Sequence, residues 1–242
     1  MDIHIGTSGY HYKHWVGTYY PEGMKPKDML AHYMRDFDTV ELNRPFYRLP
    51  TRKAFEDWRE SAPPGFIYSV KGSRFITHMK KLKEPEANVP FFFAAAEGLA
   101  ETLGPVLWQL PPFWKCDLAR LEVFLATLPR DRRHAFEFRN PTWHAPEVYD
   151  ALHRHNAAFC PFDIAGFQSP VEVTADWTYI RLHGPSENAY GGAYSRDALH
   201  GWADWLLARR DTLRAAYVYF DNDAEANAVR DALALKEIVS EK

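Results

Sequence analysis

Cysteine is scarce in this 242-residue chain: Cys116 and Cys160 are the only two, far apart and without C-x-x-C spacing. A disulfide framework is therefore not expected, and two free thiols in a reducing compartment are. Long apolar runs are missing as well. No stretch approaches the roughly 18 residues of a membrane helix, so no membrane partner is expected. The opening MDIHIGTSGY has no basic segment leading into an apolar one, so a secretory signal is not expected and a cytoplasmic location is. Neither G-x-G-x-x-G nor G-x-x-x-x-G-K-[ST] occurs, which removes the standard dinucleotide and P-loop modes and leaves no organic cofactor motif. An excess of one charge is absent too. With 29 Lys and Arg against 32 Asp and Glu, the net charge is −3, and duplex nucleic acid is not an expected partner.

What is present is ordinary globular material with many rings. Hydrophobic residues make up 46% and aromatic ones 15%, enough for a substantial core. Strand-like stretches run over 2–6, 39–43, 66–72, 105–110, 134–139, 158–163, 178–184 and 215–221. Helical periods separate most of them, several opening on a cap residue: Thr51, Asp117, Ser195 and Asp223. The stretch IAGFQSPVEVTAD after the sixth strand shows no helix. Strands alternating with helices predict a parallel sheet, and eight strands predict one α/β domain over 1–242, a (β/α)8 barrel of the TIM type. An open doubly wound sheet is the structural alternative.

In TYIRLHGP, residues 178–185, Tyr179, Arg181 and His183 share one side-chain parity and Ile180 and Leu182 the other. A half-exposed strand would leave the polar face wet, whereas a strand of a buried parallel sheet would carry Arg181 and His183 into the interior. Other strand ends follow suit. Glu41 and Asn43, Ser69 and Lys71, Gln109, Glu137 and Arg139, Asp163, and Tyr219 and Asp221 fall where a barrel of this type places its active site. Buried ion pairs add little net stability, so charges concentrated at one end of a barrel favour a ligand site over mutual neutralisation.

Loops add candidates. Thr7, Ser8, Gly9 and Tyr10 follow the first strand and could offer hydroxyls and backbone N–H groups to an anion. Phe46 and Tyr47 lie after the second strand, Trp143 after the fifth, and Tyr190 lies on a glycine-flanked segment, 185–195, that could act as a lid. Trp15 and Trp143 are candidates for stacking on a sugar or base, although packing is the commoner fate of tryptophan. His11 and His14 have i, i+3 spacing in an irregular loop and read as surface histidines.

The motifs GTSGY, VELN with FYRLP, SVKGSRFITH, GPVLWQLPP, FEFRNPTW, YIRLHGP and VYFDNDAEANA together resemble the YecE-like family, the domain of unknown function 72. The resemblance spans nearly the whole chain and implies a TIM-type barrel, but no particular reaction. Arg44-Pro45 stands where the family has small polar residues, which alters the shape and charge of that loop.

The residues point first to an enzyme acting on a small anionic substrate, a sugar phosphate or carboxylate. Lys71, Arg139 and Arg181 would hold the anion, and Glu41 or Glu137 would serve as base with His183 as acid. Hydrolysis, isomerisation and lyase chemistry all fit such a set. A divalent metal on Glu137, Asp163, His183 and Asp221, as in xylose-isomerase-like barrels, is less favoured because Arg139 and Arg181 would crowd a cation. From another class comes a protein that binds a nucleotide or single-stranded nucleic acid without turning it over.

Overall fold

The computed structural model of the protein describes every residue, Met1–Lys242. It is a mixed α/β structure with ten strands: β1 (Asp2–Thr7), β2 (Thr39–Leu42), β3 (Ile67–Lys71), β4 (Leu103–Leu110), β5 (His134–Phe138), β6 (Ala158–Phe159), β7 (Phe162–Ile164), β8 (Phe167–Gln168), β9 (Trp177–Leu182) and β10 (Ala215–Phe220). They form two five-stranded sheets, in the orders β1-β10-β9-β7-β8 and β2-β3-β4-β5-β6. The chain divides into two compact units. The first holds 1–41, 161–169 and 179–242, and the second 42–160 and 170–178.

In the first unit, β1 pairs in parallel with β10, and β7 with β9. Both parities of β9 are buried from end to end, so its polar residues are interior. The expected single strand over 158–163 is two, β6 and β7, because Pro161 has no N–H to continue the ladder after Cys160 donates to the Phe136 carbonyl. The stretch in which no helix is expected holds none, and it carries β8, antiparallel to β7. Ala165 and Gly166, both at positive φ, form the two-residue turn between them.

In the second unit, β3, β4, β5 and β6 pair in parallel in sequence order. All five residues of β5 are buried. The helices begin where local chemistry directs: Thr51, Asp117 and Ser195 each accept a backbone N–H three residues on, from Ala54, Arg120 and Ala198. Asp223, expected to act likewise, does not. Its side chain makes no cap bond, and its carbonyl accepts from the Trp15 indole at 2.9 Å instead.

The second unit's core contains a titratable ring. Trp108 Nε1 donates to Nδ1 of His134 at 3.3 Å, which leaves Nε2 of His134 to donate to the Pro129 carbonyl at 2.9 Å. Burial pulls His134 down to about 4. An unfolded histidine titrates near 6.5, so the unfolded chain takes up this proton first. The neutral ring's contribution is therefore complete above pH ~6.5 and is lost as the pH falls toward 4, on the order of 3 kcal/mol over that window. We predict a denaturant midpoint that declines across this range, and a shallower decline in His134→Gln. Identical pH profiles for the two proteins would contradict the assignment.

Candidate functional site

Two groups of polar side chains stand out, one in each unit. In the first unit the centre is Arg181, projecting from β9 with no solvent exposure. Its Nε donates to Glu41 Oε2 at 3.0 Å, and its Nη2 to Glu41 Oε1 at 2.8 Å, a two-pronged contact. Nη2 also reaches Asp221 Oδ2 and Ser8 Oγ, each at 3.0 Å. Glu41 further accepts from the Tyr179 hydroxyl at 2.6 Å and from Ser8 Oγ. Backbone geometry fixes these positions. Ser8 bridges to Glu41, and Gly9 donates to the Glu41 carbonyl at 2.9 Å.

The tautomer of His183 follows from its neighbours. Nη1 of Arg181 can only donate, so Nε2 of His183, 3.3 Å away, accepts. The ring proton then sits on Nδ1 and is given to Asp221 Oδ2 at 3.0 Å. Asp163 accepts the His183 backbone N–H at 2.9 Å and the Tyr194 hydroxyl, while burial pushes its carboxyl up. Tyr190, in the left-handed region at φ 67, sets its ring edge-on to His183 at 5.6 Å. Tyr12 donates to the Ser8 carbonyl, and burial together with the Asp221, Asp223 and Glu41 carboxylates drives its phenol well above its ordinary range.

In the second unit the polar residues come from β3, β4 and β5 and from the segments after β2 and β3. Arg139 Nε donates to Glu137 Oε1 at 2.6 Å, the carboxylate being fully buried and the guanidinium 15% exposed. Gln109 lies opposite Glu137 in the β4/β5 register. The Lys71 ammonium stands 4.5 Å from the centre of the Phe46 ring, whose edge-on neighbour at 5.0 Å is His78. Thr77 Oγ1 lies 2.9 Å from His78 Nδ1. His78 is pulled down to about 4, first by burial and then by the positive charges of Lys71, Arg74 and Arg139, with Glu137 opposing. It is neutral at physiological pH.

Of the residues expected from sequence, the first unit thus assembles Ser8, Glu41, Asp163, Arg181, His183, Tyr190 and Asp221, and the second Lys71, Gln109, Glu137 and Arg139. The anion-facing backbone expected after the first strand and the remaining candidates sit differently. Ser8 and Gly9 direct their N–H groups to the Phe220 and Glu41 carbonyls rather than outward to an anion. Tyr10 accepts from Tyr20 through its carbonyl and lies 6.3 Å from the Tyr33 ring. Asn43 precedes a short helix, Arg44–Tyr47, and receives the Phe46 N–H on its carbonyl. Tyr47 is 68% exposed.

Trp143 is fully buried, stacked on Phe138 at 5.0 Å and donating to the Trp114 carbonyl at 2.8 Å, so its ring is core rather than a stacking platform for ligand. Trp15 is equally buried. No group of three or more His, Cys, Asp or Glu side chains has the geometry to hold a metal ion. Sequence reading missed His78, Tyr12 and Tyr194. His78 had a signal, since it closes the stretch SVKGSRFITH behind Lys71. Tyr194 had none, since the Asp163 carboxylate to which it donates lies 31 residues away in sequence.

Relatives were found by sequence and by structure. YecE of Escherichia coli strain K12 is 30% identical over 144 residues, and the match spans 59% of this chain and 50% of that protein. The chain thus spans about half the length of that relative. YunF of Bacillus subtilis strain 168 is 23% identical over 271 aligned positions, covering 98% and 94% of the two chains. A solved DUF72 family protein from Thermotoga maritima superposes with a TM-score of 0.90 at 29% identity, covering 99% of this chain and 100% of that one. One from Enterococcus faecalis gives 0.85 at 17%, covering 98% and 95%. No helix is long and apolar enough to cross a membrane. The family model "Protein of unknown function DUF72" matches residues 4–242, and with that span nearly the whole chain the protein is a member of the DUF72 family.

Proposed function

We propose that this protein is an enzyme that acts on a small anionic substrate, a sugar phosphate or carboxylate, by acid–base chemistry, with its binding and proton-transfer groups in the second unit. The observation that carries the reading is the field at His78. Three cations, Lys71, Arg74 and Arg139, act there against one carboxylate, Glu137. An anion would be attracted by the positive potential that Lys71, Arg74 and Arg139 create there, with Arg139 suited to a two-pronged contact. Closure of the strands into the (β/α)8 barrel and a cytoplasmic setting belong to the same proposal.

Roles divide by what each group is already doing. Glu137 is dry and accepts from Arg139, which fixes its carboxylate in place, and it is assigned the role of base toward a substrate lodged beside it. His78, neutral, offers a hydrogen bond without adding a fourth cation. Glu41 takes four hydrogen bonds across its two oxygens, and His183 has both ring nitrogens engaged. They serve better as positioning residues for Arg181 and Asp221 than as the base and acid expected from sequence. Hydrolysis, isomerisation and elimination of a leaving group all fit this equipment.

Two measurements test the reading. A thermal-shift screen against sugar phosphates, phosphorylated acids and inorganic phosphate should raise the melting temperature of the wild type. Saturation at ~100 times Kd corresponds to about 2.7 kcal/mol. Lys71→Ala should abolish the shift, and no response to any anion at tens of millimolar would end the proposal. With the substrate in hand, Glu137→Gln should lower turnover by about 100-fold or more. Its denaturant midpoint should fall by less than the ~3–5 kcal/mol of a purely structural buried pair. A large stability loss with unchanged activity per folded molecule would remove Glu137 from the mechanism.

A further inference from the structure

Behind the second unit's polar group, the chain makes a feature that this reading does not use. A single π-helical turn, Phe75–Met79, is followed by three residues in the left-handed region, Lys81 at φ 49, Leu82 at φ 62 and Glu84 at φ 52, none of them glycine. Such backbone is costly for side chains with a Cβ and persists only where surroundings enforce it. Here they do. Leu82 is buried as an anchor and donates to the Ile76 carbonyl at 2.9 Å. Asn88 Nδ2 donates to the Lys83 carbonyl at 3.0 Å, and Arg120 Nη1 reaches the Lys81 carbonyl at 3.4 Å. With Leu82 turned in, Lys81 and Lys83 flank it and line a cleft of about 510 Å3.

The lining of that cleft is unbalanced in charge. Lys80, Lys81, Lys83 and Arg120 face Glu84 and Asp117. Both carboxylates are taken, Glu84 by Lys80 at 2.7 Å and Asp117 by Arg120 at 3.0 Å. Lys81 and Lys83 remain in excess. Rings accompany them: Arg120 lies over Trp114, itself part of the lining, at 5.5 Å, and Lys81 over Phe113 at 5.4 Å. Phe113 is 71% exposed, a phenyl group held in water beside the Lys81 ammonium.

We propose that this cleft binds the phosphate-bearing end of a nucleotide, with Lys81 and Lys83 on the phosphates and Phe113 stacking on the base. The volume suits one nucleotide. Aromatic rings combined with lysines are the chemistry that holds a base and its phosphate together, whether free or within a single strand. The site shares no residue with the Lys71, Arg139 and Glu137 group, and stands or falls independently of the proposed reaction.

The test is calorimetric titration of the full-length protein with ATP, inorganic phosphate and an oligothymidylate of about eight nucleotides. Lys81→Glu combined with Lys83→Glu should weaken ATP binding by about tenfold or more while leaving the melting temperature unchanged, since neither side chain makes an ion pair within the cleft. Phe113→Ala should weaken ATP and not inorganic phosphate. Tighter binding of the strand than of ATP, with a salt slope that falls by roughly 1.4 in the double variant, would assign a single strand as the source. ATP as tight or tighter would assign the free nucleotide. The proposal is overturned if neither ligand binds the wild type at millimolar concentration, if the double variant binds as well as the wild type, or if phosphate matches ATP and Phe113→Ala changes nothing.

Discussion

The pairing of Arg181 with Glu41 is the constraint on which the first unit's polar interior depends. Both side chains are sealed from solvent, and moving either charge out of water alone would cost several kcal/mol. Their mutual attraction offsets this only because further hydrogen bonds surround the pair. Tyr179 and Ser8 complete the hydrogen bonding of Glu41, and Asp221 and His183 occupy the outer nitrogens of Arg181. The consequence is positional. A guanidinium with a rigid planar fork on β9 ties together Glu41 of β2, Ser8 just after β1 and Asp221 just after β10, so the direction in which His183 presents its ring is decided by a charge pair made two residues earlier.

The second unit solves a related problem by a different route. It keeps two of its imidazoles, His78 and His134, neutral instead of pairing them with carboxylates. His134 is buried between an indole donor and a backbone acceptor, and His78 lies in the field of three cations. Neutral rings avoid the desolvation penalty of a buried cation, at the expense of acid stability. The Lys71 ammonium, nine-tenths buried, lies over the Phe46 ring, where the ring's negative face substitutes in part for lost hydration. Arg181, by contrast, sits in a carboxylate-lined interior, paired with Glu41 and Asp221.

Much of this was legible in the sequence because period-two alternation carries it. The parity of Tyr179, Arg181 and His183, and of Glu137 with Arg139, follows from strand geometry alone once a buried sheet is assumed. The break at Pro161 was visible but underweighted, since an apolar run on both sides of a proline reads as one strand until the missing N–H is considered. The turn through Ala165 and Gly166 left a weaker trace, because Ala-Gly is not a common hairpin pair. Asp223 had the right residue type for a cap, yet the aromatic loop after β1 claims its carbonyl. Trp143 illustrates the limit of residue type as a guide: the same indole can stack on a ligand or fill a core, and only the positions of Phe138 and Trp114 decide.

The strained segment after the π-helical turn extends that limit to the backbone. Nothing in KKLKEP announces left-handed φ values, because sequence signals for that region are glycine and asparagine, and this stretch has neither. A glycine at position 81 or 82 would remove the strain, but it would also delete either the Lys81 ammonium or the Leu82 anchor. Retaining both side chains in an unfavourable conformation keeps Lys81 beside the exposed Phe113 ring and in one cleft with Lys83, on a chain whose net charge is −3. For an incoming phosphate, the local field outweighs that small distant excess of negative charge, which water and salt screen over about 10 Å. The composition that argues against a duplex-binding protein is thus compatible with a compact anion-binding cleft, since net charge is a property of the whole surface and recognition of one phosphate group is not.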